Sequence, residues 1–385
     1  MTGYDLMQDF PRIVGAVQRA PSIFNTRPWW MEPRPPDHIE LWLRGNPRQR
    51  FPQRVAQARA REFVISCGAA LFNLRLAIRM SGHDLAVWLL PDPAYDNPTG
   101  PPTLLASVEI VIGRVKKPSI AEQELYEAIE RRHTNRQPYR ILPVPLPIIA
   151  TMEHAAAEEG ANLRLLHRRE ARRWMREAAR VDRDPAFARP FRNFVDPSDY
   201  GPPPGNRYPP TRSDFWHGGK QPFEHKPQLM ALTTRDDEPV DWLRAGQALQ
   251  HAILTGTRYS ESAPYGQAAA YHAPRRYGVP ARRHLLKQDE KVPLKQDEKV
   301  PQHHGLSASF LTQPLEWDDL LAKEPRHWPW RWRYPDLPQM VMRVGYAAVQ
   351  STGQPPPKTH MGDEWSQPPW QPPQGALSSP DSPQP

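Results

Sequence analysis

The chain has 385 residues, enough for two or three domains at roughly 150 residues each, which excludes a peptide or a stapled mini-protein. Only 38% of residues are apolar and 49 are Pro, against a usual ~5% for Pro, so part of the chain is expected to lie outside any packed core. The single cysteine, Cys67, excludes a disulfide framework and every zinc site built on several thiolates. A net charge of +8, with Arg outnumbering Lys about fourfold, admits an anionic cofactor or a nucleic acid without choosing between them.

Residues 1–15 carry Asp5 and Asp9 and lack the basic flank and apolar run of a secretory signal. Every long apolar run is interrupted before reaching membrane-spanning length, so a soluble, cytoplasmic protein is expected, with no membrane partner. Ala20-Pro-Ser-Ile-Phe-Asn-Thr-Arg-Pro-Trp29 reads as a Pro-bounded turn. Residues 63–80 form a helix apolar nearly all round, the pattern of a helix buried among others. Residues 85–90 and 104–112 read as strands, 120–132 as an amphipathic helix, 152–159 and 170–180 as helices, and 162–166 as a strand. Further on, 228–233 reads as a strand, 237–259 as a helix with one apolar face, and 306–310 and 340–346 as strands that complete a sheet.

Three stretches break this alternation. Residues 182–227 are dense in Pro, Gly, Asn and Asp and read as a lid-like loop. Residues 260–304 contain Leu-Lys-Gln-Asp-Glu-Lys-Val-Pro twice in tandem and read as a low-complexity insertion, because two short copies cannot stack into a repeat architecture. Residues 351–385 form a tail rich in Pro, Gln and Ser. A faint echo aligns Gly68 to Ala77 with Gly246 to Thr255, keeping Gly, Ala, Leu and Leu in step. It predicts two related halves whose long helices pack against each other.

Phosphate-binding Gly loops ending in Lys-Ser/Thr, GxGxxG, HExxH, GxSxG and CxxC are all absent. Two constellations can carry chemistry. The 20–29 turn offers the hydroxyl of Ser22, the amide of Asn25 and neighbouring backbone groups, a set suited to a flat heterocycle; the alternative is an Asx or ST-type turn entering a strand. Arg131-Arg-His-Thr-Asn-Arg136, at a helix end, supplies the bidentate donors a phosphate dianion needs. The same basic residues also answer a helix dipole. His303 and His304 lack partners at ligand spacing, so no metal site is expected. Cys67 reads as a packing residue, and the Arg-rich 168–180 segment as a solvated helix face; no aromatic-interleaved basic motif points to nucleic acid.

These segments resemble the FMN-dependent nitroreductase superfamily, and within it the double-length Acg-like branch. Pro21, Ser22 and Asn25 match that superfamily's ring-side Ala-Pro-Ser-x-x-Asn-x-Gln-Pro-Trp segment, and Arg132, His133, Thr134 and Arg136 match its basic Arg-His-Ser-x-Lys/Arg segment. Residues 65–71, 233–249, 305–317 and 338–346 extend the likeness over most of the chain outside the three irregular stretches. The resemblance implies an α+β fold with two related halves in one chain, 1–125 and 126–350, imitating a nitroreductase dimer, followed by the 351–385 tail. Because the first half carries the ring-side segment and the second opens with the basic one, it implies one FMN per chain and a lost twin site, in a monomer acting as a pseudo-dimer or in a homodimer. It further implies that Arg132, His133 and Thr134 take the phosphate, that Arg136 lies by the pyrimidine end, and that backbone around Gln313, Pro314 and Leu315 faces the flavin N5.

The implied activity is NAD(P)H-dependent reduction of nitro compounds or quinones as small-molecule electron acceptors. The same site, closed under the 182–227 loop, would instead make a flavin-sequestering or stress-response protein without turnover. The chain departs from the family pattern at Arg27, which stands where Gln is usual, and after Tyr346, where Lys358 is the basic residue available.

Overall fold

A computed structural model describes residues 5–23, 26–44, 53–91, 103–132, 142–171, 228–259, 306–311 and 337–346, without the side chains of 53–59, 113 and 306–311. The loop of 182–227, the insertion of 260–304 with His303 and His304, the tail of 351–385 and residues 172–180 of the helix expected over 170–180 lie outside the described residues.

Helix α1 (Leu6–Gln18) starts at Asp5, whose carboxylate accepts from the Met7 N–H at 3.0 Å. It contains Pro11 and buries Leu6, Ile13, Ala16 and Val17. Strands β1 (Trp29–Arg34) and β2 (His38–Leu43) form an antiparallel pair in which Trp29 faces Leu43 and Trp30 faces Trp42. Helix α2 (Gln53–Met80) follows, then β3 (His83–Leu89) and β4 (Thr103–Val115). The first sheet runs β1-β2-β4-β3 with every pair antiparallel.

The second group repeats this order. Helix α3 (Ile120–Arg131), helix α4 (Leu146–Glu158), β5 (Asn162–Leu165), β6 (Gln228–Thr234), helix α5 (Pro239–Arg258), β7 (Leu306–Leu311) and β8 (Leu337–Tyr346) build an antiparallel sheet in the order β5-β6-β8-β7. In each group a long helix sits between the second and third strands, and the last strand inserts beside the second. The mixed helix and antiparallel-sheet composition agrees with the α+β expectation.

The two long helices pack directly against each other, as the echo predicts. A Cβ added at Gly68 would overlap the Leu243 carbonyl oxygen and come within 2.9 Å of the Gly246 Cα. One added at Gly246 would overlap the Ile65 carbonyl oxygen and come within 2.7 Å of the Gly68 Cα. Only glycine permits this approach. The contacts are reciprocal at a spacing of 178 positions (246 − 68 = 243 − 65 = 178), the pattern of an isologous interface. The same spacing relates two side-chain pairs across the crossing: Gln250 donates to Asn73 at 2.8 Å, and Phe72 stacks on His251 at 4.7 Å between ring centroids.

Ala60–Met80, the C-terminal three quarters of α2, has a mean hydropathy of 1.5 and the length of a membrane span, but 89% of its apolar window is buried inside the protein. It is the central helix of the core, holding Val64, Ile65, Ala69, Ala70, Leu71, Leu74, Ala77 and Ile78 at no more than 1% exposure. An ion pair between Arg61 and Asp237 ties α2 to the loop ahead of α5, and the Arg61 guanidinium lies 5.6 Å over the Trp242 ring.

Several boundaries differ from the sequence expectation. Helix α1 and the β2 partner of the strand entered by the 20–29 turn were not anticipated from sequence, α2 begins ten residues earlier than 63, and α4 begins at 146 rather than 152. The α4 difference has a simple cause: Pro147 occupies the first turn, where a missing N–H costs nothing.

Candidate functional site

The 20–29 turn is anchored at both ends. Its entry follows from the end of α1, where Ala20 N–H donates to Val17 O at 3.0 Å. Within it, Thr26 N–H donates to Ile23 O at 3.0 Å and the Thr26 hydroxyl to the same oxygen at 2.7 Å. Arg27 N–H donates to Ser22 Oγ at 3.0 Å, and Arg27 adopts a positive φ of 43°, an uncommon conformation for a residue with a Cβ. Exit into β1 is fixed by Pro28, whose carbonyl accepts from Arg44 N–H at 2.9 Å and from the Cys67 thiol at 3.4 Å.

Ser66 binds this turn to the central helix. Its hydroxyl donates to the Glu62 carbonyl at 2.7 Å and accepts from Ile23 N–H at 3.1 Å. Sequence reasoning assigned Ser66 no role. That polar residue in an otherwise apolar segment was the available signal. Cys67 is fully buried, and loss of hydration pushes its thiol pKa well above the ordinary value, so it packs rather than reacts.

The basic segment arrives at the same place from the far side. Helix α3 opens with a capping box in which Ser119 and Glu122 satisfy each other's backbone N–H groups. It ends at Arg132, whose backbone turns extended (φ −66°, ψ 125°) while its N–H still donates to Ala128 O at 2.9 Å. From that position the Arg132 guanidinium donates to the carbonyl of Arg19 at 3.1 Å, and the Arg19 guanidinium lies 3.5 Å from the Glu130 carboxylate. Residues 113 positions apart in sequence thereby bring the basic segment against the turn that carries Pro21 and Ser22.

Pro21 is buried and Ser22 half-buried. The Ser22 hydroxyl accepts from Arg27 N–H, and among the described residues its own hydrogen meets no acceptor; the indole N–H of Trp29, 3% exposed, is buried in the core without an acceptor among them. The Ser22 hydroxyl and the Arg132 guanidinium are the donors here that suit a ligand with acceptor atoms and an anionic group. Asn25, His133, Thr134, Arg136, Gln313, Pro314 and Leu315 lie outside the described residues. Among the described residues no three His, Cys, Asp or Glu side chains are grouped to hold a metal ion.

No family model matches the chain. Among curated proteins, "Putative NAD(P)H nitroreductase Rv3131" of Mycobacterium tuberculosis H37Rv is 30% identical over 256 residues, covering 62% of this chain and 70% of the relative. Its counterpart MT3217 in the CDC 1551 / Oshkosh strain matches to the same extent. "Uncharacterized protein Rv3127" of the H37Rv strain is 29% identical over 122 residues, 31% of this chain and 33% of that protein. On the first of these likenesses, the chain belongs to the nitroreductase family.

Proposed function

We propose that the chain is an FMN-binding, NAD(P)H-dependent nitroreductase with one flavin site, built where Arg132 meets the 20–29 turn. The observation that carries this reading is the 3.1 Å hydrogen bond from Arg132 to the Arg19 carbonyl, because it joins within one chain the two segments expected to hold opposite ends of one cofactor. The names of the relatives supply the nicotinamide donor and the nitro acceptor.

The described donors fit an FMN. Arg132, with His133 and Thr134, would hold the phosphate, where a guanidinium gives bidentate, charge-assisted hydrogen bonds. Pro21, Ser22 and Asn25 would border the ring, the free Ser22 hydrogen meeting an acceptor atom. Arg136 would stand at the pyrimidine end, and 313–315 would face the N5 edge. Bound there, the flavin supplies hydride transfer from NAD(P)H to a nitro compound or quinone.

The two groups of elements are read as halves of a fused pseudo-dimer, 1–125 and 126–350. Support comes from the shared strand order and the reciprocal Gly68 and Gly246 contacts. The basic segment opens only the second half, so the stoichiometry is one FMN per chain, in a cytoplasmic protein.

The test is to denature the purified coloured protein, identify the released chromophore and count it per chain, then follow NAD(P)H oxidation with a nitroaromatic acceptor. About one FMN per chain and acceptor-dependent oxidation support the reading. A colourless protein that takes up no added FMN overturns it, and a flavin-loaded protein without turnover overturns the reductase part alone.

A further inference from the structure

The last turn of α3 holds Arg19 at both of its ends. The Arg132 guanidinium donates to the Arg19 carbonyl at 3.1 Å, while the Glu130 carboxylate lies 3.5 Å from the Arg19 guanidinium. Arg19 caps the C-terminus of α1, with its own N–H on the Ala16 carbonyl at 3.2 Å, and the residues that follow, Ala20, Pro21 and Ser22, enter the turn assigned to the flavin ring. Backbone hydrogen bonds therefore fix where Arg19 stands, while its side chain, 45% exposed, can change partner.

Glu130 is an unfavourable residue for the place it occupies. The C-terminal turn carries the negative end of the helix dipole, which favours cations and disfavours a carboxylate, and Arg131 and Arg132 in the same turn follow that rule. Glu130 instead faces Arg19 on the neighbouring helix end. Both partners are exposed, 45% for Arg19 and 71% for Glu130, and an ion pair in that setting adds little to stability. It is weak enough to be exchanged for a stronger anion. A phosphate monoester is such an anion, with about −1.5 to −2 charges at neutral pH. At this junction it also faces the negative ends of two helices, and a single guanidinium balances about half of its charge. Arg19 adds a second cation from the residue whose carbonyl Arg132 already holds.

We propose, on the FMN reading above, that Arg19 is a phosphate-binding residue of the flavin site and that Glu130 is its placeholder, keeping the guanidinium occupied until the phosphate takes the place of the carboxylate. The exchange leaves two guanidiniums on the dianion, with bidentate, charge-assisted hydrogen bonds open to each, and releases the Glu130 carboxylate to water. Glu130 opposes FMN slightly, because its attraction to Arg19 is given up on binding. Riboflavin, which has the same ring without the phosphate, gains nothing from Arg19 and displaces nothing from it. The pair therefore selects for the phosphate alone, independently of the contacts that Ser22 makes to the ring.

The test titrates FMN and riboflavin, by quenching of flavin fluorescence, into the full chain stripped of flavin, for the parent, Arg19→Gln, Glu130→Gln, the double variant and Arg114→Gln. Arg114, 73% exposed on β4, controls for the loss of one positive charge. Arg19→Gln is expected to weaken FMN about 10-fold, the equivalent of one hydrogen bond to a charged group, and to leave riboflavin unchanged. Glu130→Gln is expected to tighten FMN about threefold, the scale of an exposed ion pair, and to change nothing when Arg19 is already Gln. An Arg19→Gln protein that loses no more FMN affinity than Arg114→Gln overturns the proposal. So does one that loses FMN and riboflavin equally, which marks a loosened turn instead of a lost phosphate contact. A Glu130→Gln effect that is absent in the parent, or that persists without Arg19, overturns the placeholder role. These failures all occur in a parent that binds FMN, whereas a parent that binds neither flavin overturns the FMN reading itself.

Discussion

Asn73 and Gln250, each wholly buried, join the two long helices through a 2.8 Å hydrogen bond from Gln250 Nε2 to Asn73 Oδ1. Asn73 Nδ2 in turn donates to the Ala16 carbonyl near the end of α1, also at 2.8 Å. One side chain thus fixes three helices in register. Removing it strands the buried Gln250 amide donor, while the Ala16 carbonyl keeps the Arg19 N–H at 3.2 Å. Asn73→Ala is expected to cost about 1–3 kcal/mol, the desolvation penalty of one buried donor. Urea denaturation measures it, and a double-mutant cycle with Gln250→Ala should return a coupling near 1 kcal/mol.

Glycine substitutions discriminate the helix crossing from ordinary helix positions. At Gly68 or Gly246 the obstacle to a Cβ is backbone of the opposing helix, which cannot swing aside as a side chain can. Gly68→Ala and Gly246→Ala are expected to exceed the usual ~1–3 kcal/mol of overpacking and to lower the yield of folded protein. Gly15 in α1 has open space around its missing Cβ, so Gly15→Ala should stabilise by roughly 0.5–1 kcal/mol. Equal effects at Gly15 and Gly68 in thermal melts would contradict the close crossing.

How much of this could be read from sequence follows from range along the chain. The buried α2, the α3 end at Arg131–Arg132 and the long β4 declare themselves through local periodicity. The Gly68 and Gly246 echo showed which helices meet. Helix α1 was hidden by Pro11 and Gly15, both poor helix residues that burial of Ile13 and Val17 outweighs. The pairing of β1 with β2 was hidden by Pro28, Pro33, Pro35 and Pro36. Pro33 is tolerated because β1 is an edge strand, where a missing N–H need break no ladder bond. At the site, the residue types of Pro21, Ser22 and Arg132 were legible, but their meeting was not: Arg132 to Arg19 spans 113 positions and Ser66 to Ile23 spans 43, and no local pattern encodes such pairs.

Two substitutions separate the ligand role of the site from its architecture. Arg132→Ala removes a partly exposed guanidinium at a helix end, so it should leave the melting temperature within a few degrees while weakening FMN retention about 10- to 100-fold, the equivalent of one charge-assisted hydrogen bond. Ser66→Ala removes the acceptor of the Ile23 N–H, and should cost about 1–3 kcal/mol of stability while loosening the turn. Flavin titration by fluorescence quenching beside a thermal melt distinguishes them. An Arg132→Ala protein that retains flavin as tightly as the parent would remove Arg132 from the phosphate assignment.

Acid stability should be set in part by Glu159, at the end of α4. Burial alone would raise its pKa, but the hydrogen bond with His251 (3.3 Å to Nδ1) and the Arg75 guanidinium outweigh that and hold the carboxyl below its usual range. Arg75 also donates to Gln247 at 2.7 Å, so the cluster joins α2, α4 and α5. The exposed Glu158 carboxylate faces the other side of His251 at 3.8 Å and His154 at 3.3 Å. A carboxylate whose folded pKa is depressed stabilises the fold fully above its unfolded pKa of about 4.3, and that stability is lost as pH falls through the lower, folded value. Glu153 opposes this weakly, because burial raises its pKa and protonation there favours the folded state. Glu159→Gln is therefore expected to cost about 3 kcal/mol at pH 7, by leaving Arg75 without its buried anion, and to flatten the decline in stability below about pH 4.3. Denaturant titrations of parent and variant between neutral and acid pH give both numbers; parallel curves with no convergence at low pH would show that Glu159 does not carry the acid response.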